Sequence, residues 1–385
     1  MFADRTNWNL APNRLSEALS RHRASRKSLL DLSASNPTEC GFACDSQAIL
    51  RALANPASLA YQPEPQGLLI AREAIAAYYA ERAETVPPSD IVLTTSTSEA
   101  YTFVFRILCN PGAEILIPTP SYPLFDLLAD IQDVRLVRYP LVHDHGWQID
   151  FHALEAAITP RTRGIILVHP NNPTGHFTKL EERDRINRIC ADREIAAIVD
   201  EVFLDFSLTA KSPSTWAANG EALTFTMSGL SKICGLPQMK IAWLVTSGPT
   251  NLKTQALNRL EVIADTYLSM NAPVQHAVPT FLGERHSFQK QLKDRVRVNL
   301  AELDRLLAGQ KFCSRLELEG GWYAVLRVPA TGPDEDLAID LLAKHDVYIH
   351  PGRFYDFDVE GFLMVSLIVP EQDFREGIRR VLSNF

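Results

Sequence analysis

The sequence has no apolar run approaching the length of a membrane span, which excludes a helix that crosses a bilayer. It has no excess of positive charge either. Against 38 Lys and Arg stand 46 Asp and Glu, for a formal net charge of -8. Spread over 385 residues, that balance argues against a nucleic-acid binder. The densest basic run, RHRASRK at 21–27, reads as a solvated helix end. Cysteine is sparse: Cys40, Cys44, Cys109, Cys190, Cys234 and Cys313 show no CxxC pair and no regular framework. Reduced thiols in a cytoplasmic protein fit that usage. The opening MFADRTNWNL lacks the basic start and apolar stretch of a signal peptide, so the cytoplasm is the expected compartment. There is no internal repeat and no low-complexity linker.

What is present is an ordinary globular composition on a chain too long for one small core. Two domains sharing a ligand-binding interface are expected. Residues 1–44 read as a polar segment with a weak helical stripe (Leu15, Leu19), packing with the smaller domain. From about residue 68, helical patterns alternate with short β-rich runs. Helices are expected over 67–83, 98–110 and 178–192, and strands over 90–95, 114–118, 134–140, 164–170, 195–200, 223–228 and 241–246. These strands are nearly continuously apolar, as in a parallel sheet buried on both faces. The expectation is an α/β fold: a large domain over 45–280 with a mostly parallel central sheet, and a smaller α+β domain over 281–385. Ligand groups then belong at the C-terminal ends of the strands.

Those ends carry a suggestive series. After IVLTT come Ser96, Thr97 and Ser98 and then a helix, where exposed N–H groups and hydroxyls make a phosphate cradle. Taken alone, these residues would be a plain cap. After EILIP comes Tyr122, able to stack on a ring or simply to pack. After GIILVH comes PNNPTG (170–175), a tight turn that also presents amides. Asp200 and Glu201 end a buried apolar strand, where a carboxylate is costly without a partner. The stretch TMSGLSKICGLPQMK (226–240) then sets Lys232 among Ser228, Gly229 and Ser231. A desolvated lysine has a lowered pKa and an amine able to attack an aldehyde. Phosphate cradle, aromatic plate, amide, carboxylate and lysine together suit pyridoxal 5'-phosphate (PLP).

The motifs YQPEPQGLLIAREAIAAYY, TSTSEAY, NPGAEILIPTPSYP, HPNNPTG, VDEVFLDF and SGLSK make the chain similar to the class I/II aminotransferases, fold-type-I PLP enzymes, from about residue 31 to its end. The resemblance implies roles. Lys232 would hold PLP covalently and move the proton between Cα and C4'; Asp200 would pair with the pyridine N–H. Asn172 would donate to O3', Tyr122 would stack on the ring, and Ser96, Thr97, Ser98 and Ser231 would line the phosphate end. Tyr61, in AYQPEPQG, matches a tyrosine that reaches a phosphate across a dimer interface, so a homodimer with shared sites is implied. Asn36, in SNPTECGF, is placed at the substrate.

Three positions depart from the family's pattern. Phe203 replaces a tyrosine whose hydroxyl donates to O3', so the lysine–cofactor linkage should lose its proton at higher pH. Lys240 replaces a phosphate-binding arginine, giving up the bidentate fork. Met364, beside Val365 in FLMVSLIVP, replaces the arginine that clamps a substrate carboxylate. Arg353, in HPGRFYDF, is the candidate replacement cation. The activity implied is ping-pong transfer of an amino group from a donor to a keto acid, through the pyridoxamine phosphate form of the cofactor. The alternative on the same scaffold is a PLP lyase or decarboxylase. A non-catalytic PLP-binding regulator is disfavoured, because the residues before the matched region show no recognition-helix pattern. HDH (143–145) has no third ligand in sight, so no metal is expected, and Cys234 reads as a packing residue.

Overall fold

A computed structural model describes residues 1–209 and 213–385. Its centre is an eight-stranded sheet in the order Ile91–Thr94, Ala242–Ser247, Thr224–Gly229, Ala196–Asp200, Thr162–Val168, Glu114–Thr119, Arg135–His143, Trp147–Ile149. The five strands from Thr224–Gly229 to Arg135–His143 are mutually parallel. Ala242–Ser247 is antiparallel to both its neighbours, which leaves Ile91–Thr94 running in the common direction. Trp147–Ile149 closes a hairpin on the far edge. Within each strand the period of two divides the apolar side chains between the two faces. Ala196 and Ile198 join one core and Ala197 and Val199 another; Ile115 and Ile117 are likewise separated from Leu116. Helices Thr97–Leu108 and Thr250–Tyr267 cover the first face. Helix Leu69–Ala80 and part of Ala272–Leu307 cover the second beside Ile91–Thr94, and Leu180–Arg193 covers it beside Ala196–Asp200.

A smaller antiparallel sheet has the order Ser314–Arg315, Tyr323–Arg327, Phe362–Ser366, His350–Pro351. The N-terminal segment packs on it: Leu30–Asp31 pairs in parallel with Val347–Tyr348, and the Ser366 N–H donates to the Leu32 carbonyl at 2.7 Å. Leu15, Leu32 and Cys40 are buried in one core with Trp322, Leu326 and Phe374. The 36-residue helix Ala272–Leu307 runs unbroken across the boundary expected at 280/281. It starts against helix Leu69–Ala80 and ends against Glu371–Leu382, so one rigid rod joins the two packing units.

Candidate active site

All strands running in the common direction end at one edge of the large sheet. There the loops that follow them enclose a cavity of about 300 Å³. Asp200, the last residue of its strand, is 8% exposed. Its Oδ1 accepts the Val202 N–H at 3.0 Å, and its Oδ2 accepts the Tyr101 hydroxyl at 3.2 Å. Burial pushes the carboxyl up to about 6, opposed by those two donors and by Lys232. Lys232 lies in the single helical turn Leu230–Ile233 beyond the next strand. Its Nζ stands 5.0 Å from the centre of the Trp322 ring and 5.6 Å from that of Phe203. Those two rings meet edge to face at 5.2 Å, forming an aromatic corner around the amine. Desolvation there lowers the Lys232 amine to about 8, with Asp200 pulling the other way. Lysine and buried carboxylate therefore face one small, mostly apolar space.

The two asparagines of the NNP turn divide their work. The Asn171 amide nitrogen donates to the Pro120 carbonyl at 3.1 Å and to Thr174 Oγ1 at 3.0 Å, and its carbonyl accepts the Gly175 N–H. Asn172 lines the cavity, with its Oδ1 buried and unpartnered among the described residues. The turn needs glycine at 175. Its φ is +71°, and a Cβ would fall 2.2 Å from Leu318 Cδ1 and 2.5 Å from the Gly320 carbonyl. Gly229, also in the lining, lies so close to Ala242 that a Cβ would meet that residue's Cβ at 2.9 Å.

At the other end stand Ser96, Thr97, Ser98 and Ser231. Ser96 fulfils the plain capping role, its Oγ accepting the Glu99 N–H at 3.2 Å, and still lines the cavity. The helix it caps is twelve residues long, and its first-turn residues Thr97 and Ser98 line the cavity. Tyr122 forms part of the wall and is half exposed. The residues fit PLP. Hydroxyls on a helix N-terminus suit its phosphate, and the Asn172 Nδ2, which donates to no described residue, suits a ring oxygen. A buried carboxylate with a raised pKa gains a partner from a protonated ring nitrogen, and a desolvated lysine suits its carbonyl.

The remaining sequence candidates lie outside the lining. Lys240 is exposed, in a left-handed conformation (φ 52°), between Pro237 and Ala242, which do line it. Tyr61 is 82% exposed and borders a separate small depression with Gln62, Pro63 and Met270. Asn36 is exposed and accepts the Thr38 N–H and hydroxyl; its neighbour Ser35 is the cavity residue. Arg353 is exposed in the short turn Gly352–Tyr355, whose Tyr355 carbonyl accepts the Ser121 N–H beside Tyr122. Met364 is 1% exposed. It pairs with Val325, and both enter the core under the cavity with Leu116 and Tyr139, while Tyr323, two residues nearer the site on the same strand face, reaches the lining. Among the described residues no cluster able to hold a metal is present, and His143 pairs with Glu317. Cys234 is buried, its Sγ donating to the Phe281 carbonyl.

Sequence reasoning missed Tyr101, Ser35, Phe125, Leu128, Trp322 and Tyr323, which line or flank the cavity. Tyr101 had a usable signal: it falls one helical turn after Thr97. Tyr323 had the alternation of its strand. Trp322 had none, because its position beside Lys232 depends on docking of the small sheet.

An eight-stranded, mostly parallel α/β sheet beside a smaller α+β unit is a fold shared with solved aminotransferases. One is the alanine aminotransferase of Pyrococcus furiosus, which superposes with a TM-score of 0.88 over 100% of this chain and 99% of that one at 22% identity. The chain belongs to the family described as aminotransferase class I and II, whose profile matches residues 7–381. Among sequence relatives, the glutamate-pyruvate aminotransferase AlaA of Escherichia coli K12 is 30% identical over 264 residues, 68% of this chain and 65% of that protein. An alanine aminotransferase of Mycobacterium tuberculosis H37Rv is 26% identical over 93% of this chain and 85% of its own length. The match to AlaA thus spans about two thirds of that relative.

Proposed function

We propose that the protein is a PLP-dependent aminotransferase that passes an amino group from a donor to a keto acid in two half-reactions at one site. The observation that carries this reading is the desolvated Lys232 in its corner of Phe203 and Trp322, sharing one cavity with the buried Asp200. Bound there, PLP supplies a carbonyl that takes up the amino group and a protonated ring that spreads the charge left when the Cα proton departs. Lys232, lowered to about 8, has a neutral amine available near physiological pH. With PLP bound, that Nζ would accept the Cα proton and return it at the cofactor's carbonyl carbon, two bonds away. Asp200 remains ionised beside a cation, because the cation offsets the burial that otherwise raises its pKa.

Asn172 orients the ring through its free amide, Tyr122 covers one ring face, and Ser96, Thr97, Ser98 and Ser231 hold the phosphate at the helix start. Phe203 contributes a face and no hydroxyl. Lys240 adds a point charge from the rim after a side-chain rotation. Tyr61 serves a second copy of the chain in a homodimer: it is exposed, as are Leu59, Leu69 and Ile70 close to it in sequence. The cytoplasm is the proposed compartment, supported by free cysteines and by the lack of any helix, among the described residues, long and apolar enough to cross a membrane. Arg353, on the turn packed against the Tyr122 loop, is proposed as the cation that meets a substrate carboxylate in place of Met364.

The test is an absorbance spectrum of the purified protein with PLP, followed by amino donors added singly, including amines that lack a carboxylate. The expected result is a visible band that an α-amino acid bleaches with release of its keto acid. Release of ammonia or carbon dioxide instead would replace transamination with lyase or decarboxylase chemistry. Absence of any visible band after added PLP would overturn the reading.

A further inference from the structure

The mechanism above uses Asp200 but leaves open what holds it. Helix Thr97–Leu108 places Tyr101 four residues after Thr97, hence on the same face one turn deeper. Thr97 and Ser98 look into the cavity at the helix start. Tyr101 is 2% exposed, and its hydroxyl donates to Asp200 Oδ2 at 3.2 Å. Its ring is fixed edge-on by Phe125 at 5.2 Å and packs at a tilt on Phe105 at 6.0 Å. The other carboxylate oxygen is taken by the Val202 N–H. With a donor on each oxygen, the carboxylate's rotation is determined before any ligand arrives.

We propose that Tyr101 is a positioning residue for Asp200: its hydroxyl sets the carboxylate's orientation and keeps it ionised, so that one helix serves both ends of the bound cofactor. The phosphate end is met directly at the first turn and the ring-nitrogen end through Asp200. The inference rests on the PLP reading above. A phenol suits the task because it is a donor that adds no charge. Burial and the adjacent carboxylate hold the Tyr101 hydroxyl well above the usual tyrosine range, so it stays protonated at every working pH. The other groups facing Asp200 are Lys232 from the turn after the next strand and Tyr122 from the loop across the cavity. The neighbouring Glu201 carboxylate turns away, accepting from Thr215 Oγ1 and the Trp216 N–H. Only Tyr101 and the Val202 N–H donate to the Asp200 carboxylate among the described residues.

The test uses Tyr101→Phe, which keeps the ring and removes the donor, with Asp200→Asn and the double variant. PLP affinity is measured by titrating cofactor-free protein between pH 5.5 and 8.5, and thermal stability of the cofactor-free proteins is followed over the same range. Without its donor the Asp200 carboxylate protonates more readily. The pH below which PLP affinity falls therefore moves up by about one unit in Tyr101→Phe, with about a 3-fold loss near pH 6.5, about 8-fold at pH 5.5 and little loss at pH 8.5. In the Asp200→Asn background the same change has no further pH-dependent effect, since Tyr101 acts through that carboxylate. A Tyr101→Phe affinity profile that overlays the wild type, or an equal added loss on Asp200→Asn, overturns the proposal. If the wild type binds no PLP, the cofactor reading fails by itself, and the cofactor-free melting series still decides on Tyr101. The Tyr101→Phe stability must then decline with rising pH to a higher pH than in wild type, and this difference must vanish in the Asp200→Asn background. Parallel stability curves would overturn it.

Discussion

The edge of the large sheet and the smaller sheet contribute to the cavity in different ways. At the large sheet, Ser96, Thr97, Ser98, Tyr122, Asn172, Asp200, Ser231 and Lys232 come from five separate loops and meet in one cavity. At the smaller sheet and the N-terminal segment packed on it, Asn36, Arg353 and Met364 all lie outside that lining, and Ser35 and Tyr323 take part instead. Parallel strands deliver the residue after their last apolar position to a common edge, so position along the chain is nearly position in the site. Antiparallel strands and short turns do not. Whether Met364 or its neighbour across the ladder looks into the cavity depends on register and docking, and one step along the same face takes it from the lining occupied by Tyr323 to the core occupied by Val325.

The largest test of this contrast compares two lysines eight residues apart. Lys232→Ala should lower transamination at least 10³-fold, whereas Lys240→Ala, exposed and outside the lining, should weaken PLP retention with less than a tenfold loss of turnover. Keto-acid formation with PLP in excess separates the two, and equal losses would break the contrast. Asp200→Asn should cost at least 10²-fold in the same assay. Its effect on the cofactor-free protein has the opposite sign. The folded pKa, about 6, lies above the ordinary carboxyl value of 3.8, so the folded state retains a proton that the unfolded state releases between those values. Stability is therefore lost as pH rises through that window. Removing the carboxyl should stabilise cofactor-free protein by up to about 3 kcal/mol at pH 8 and leave it unchanged at pH 4. Denaturant melts at both pH values check this.

At the smaller sheet the expected effects fall on stability rather than chemistry. Met364→Ala should destabilise by about 2–4 kcal/mol, as for a buried side chain in a packed core, with kcat/KM changed less than about threefold. A large rise in KM with no loss of stability would return Met364 to the substrate. Arg353→Ala should raise KM for carboxylate-bearing donors about 10-fold and leave the melting temperature unchanged, since the side chain is exposed. A KM no different from that of an Arg259→Ala control would remove Arg353 from the site. The smallest change expected is spectroscopic. Phe203→Tyr restores a hydroxyl beside Lys232 and should move the pH midpoint of the visible band of the PLP-loaded protein down by about one unit. An unmoved midpoint would mean that the hydroxyl does not reach the ring oxygen.

The spatial order of the large-sheet strands and the antiparallel run of Ala242–Ser247 came from the tertiary structure. The existence of these strands, the burial of the central ones on both faces and the strand-end identity of Asp200 and Lys232 were determined by the sequence itself. Unbroken apolar runs admit little else, and the polar residues that end them have one edge to occupy. The division of labour between Asn171 and Asn172 was not legible, because both amides stand in the same turn and only the folded loop hands Asn171 to Pro120 and Thr174. Nor was the surrounding of Lys232. Phe203 follows Asp200 closely in sequence, but Trp322 arrives from the smaller sheet more than eighty residues away, and the low polarity of that corner exists only once the two units are docked. The sequence thus determined which groups the site contains. Tertiary structure decided their pKa values and which neighbours face them, because desolvation and register belong to contacts between distant segments.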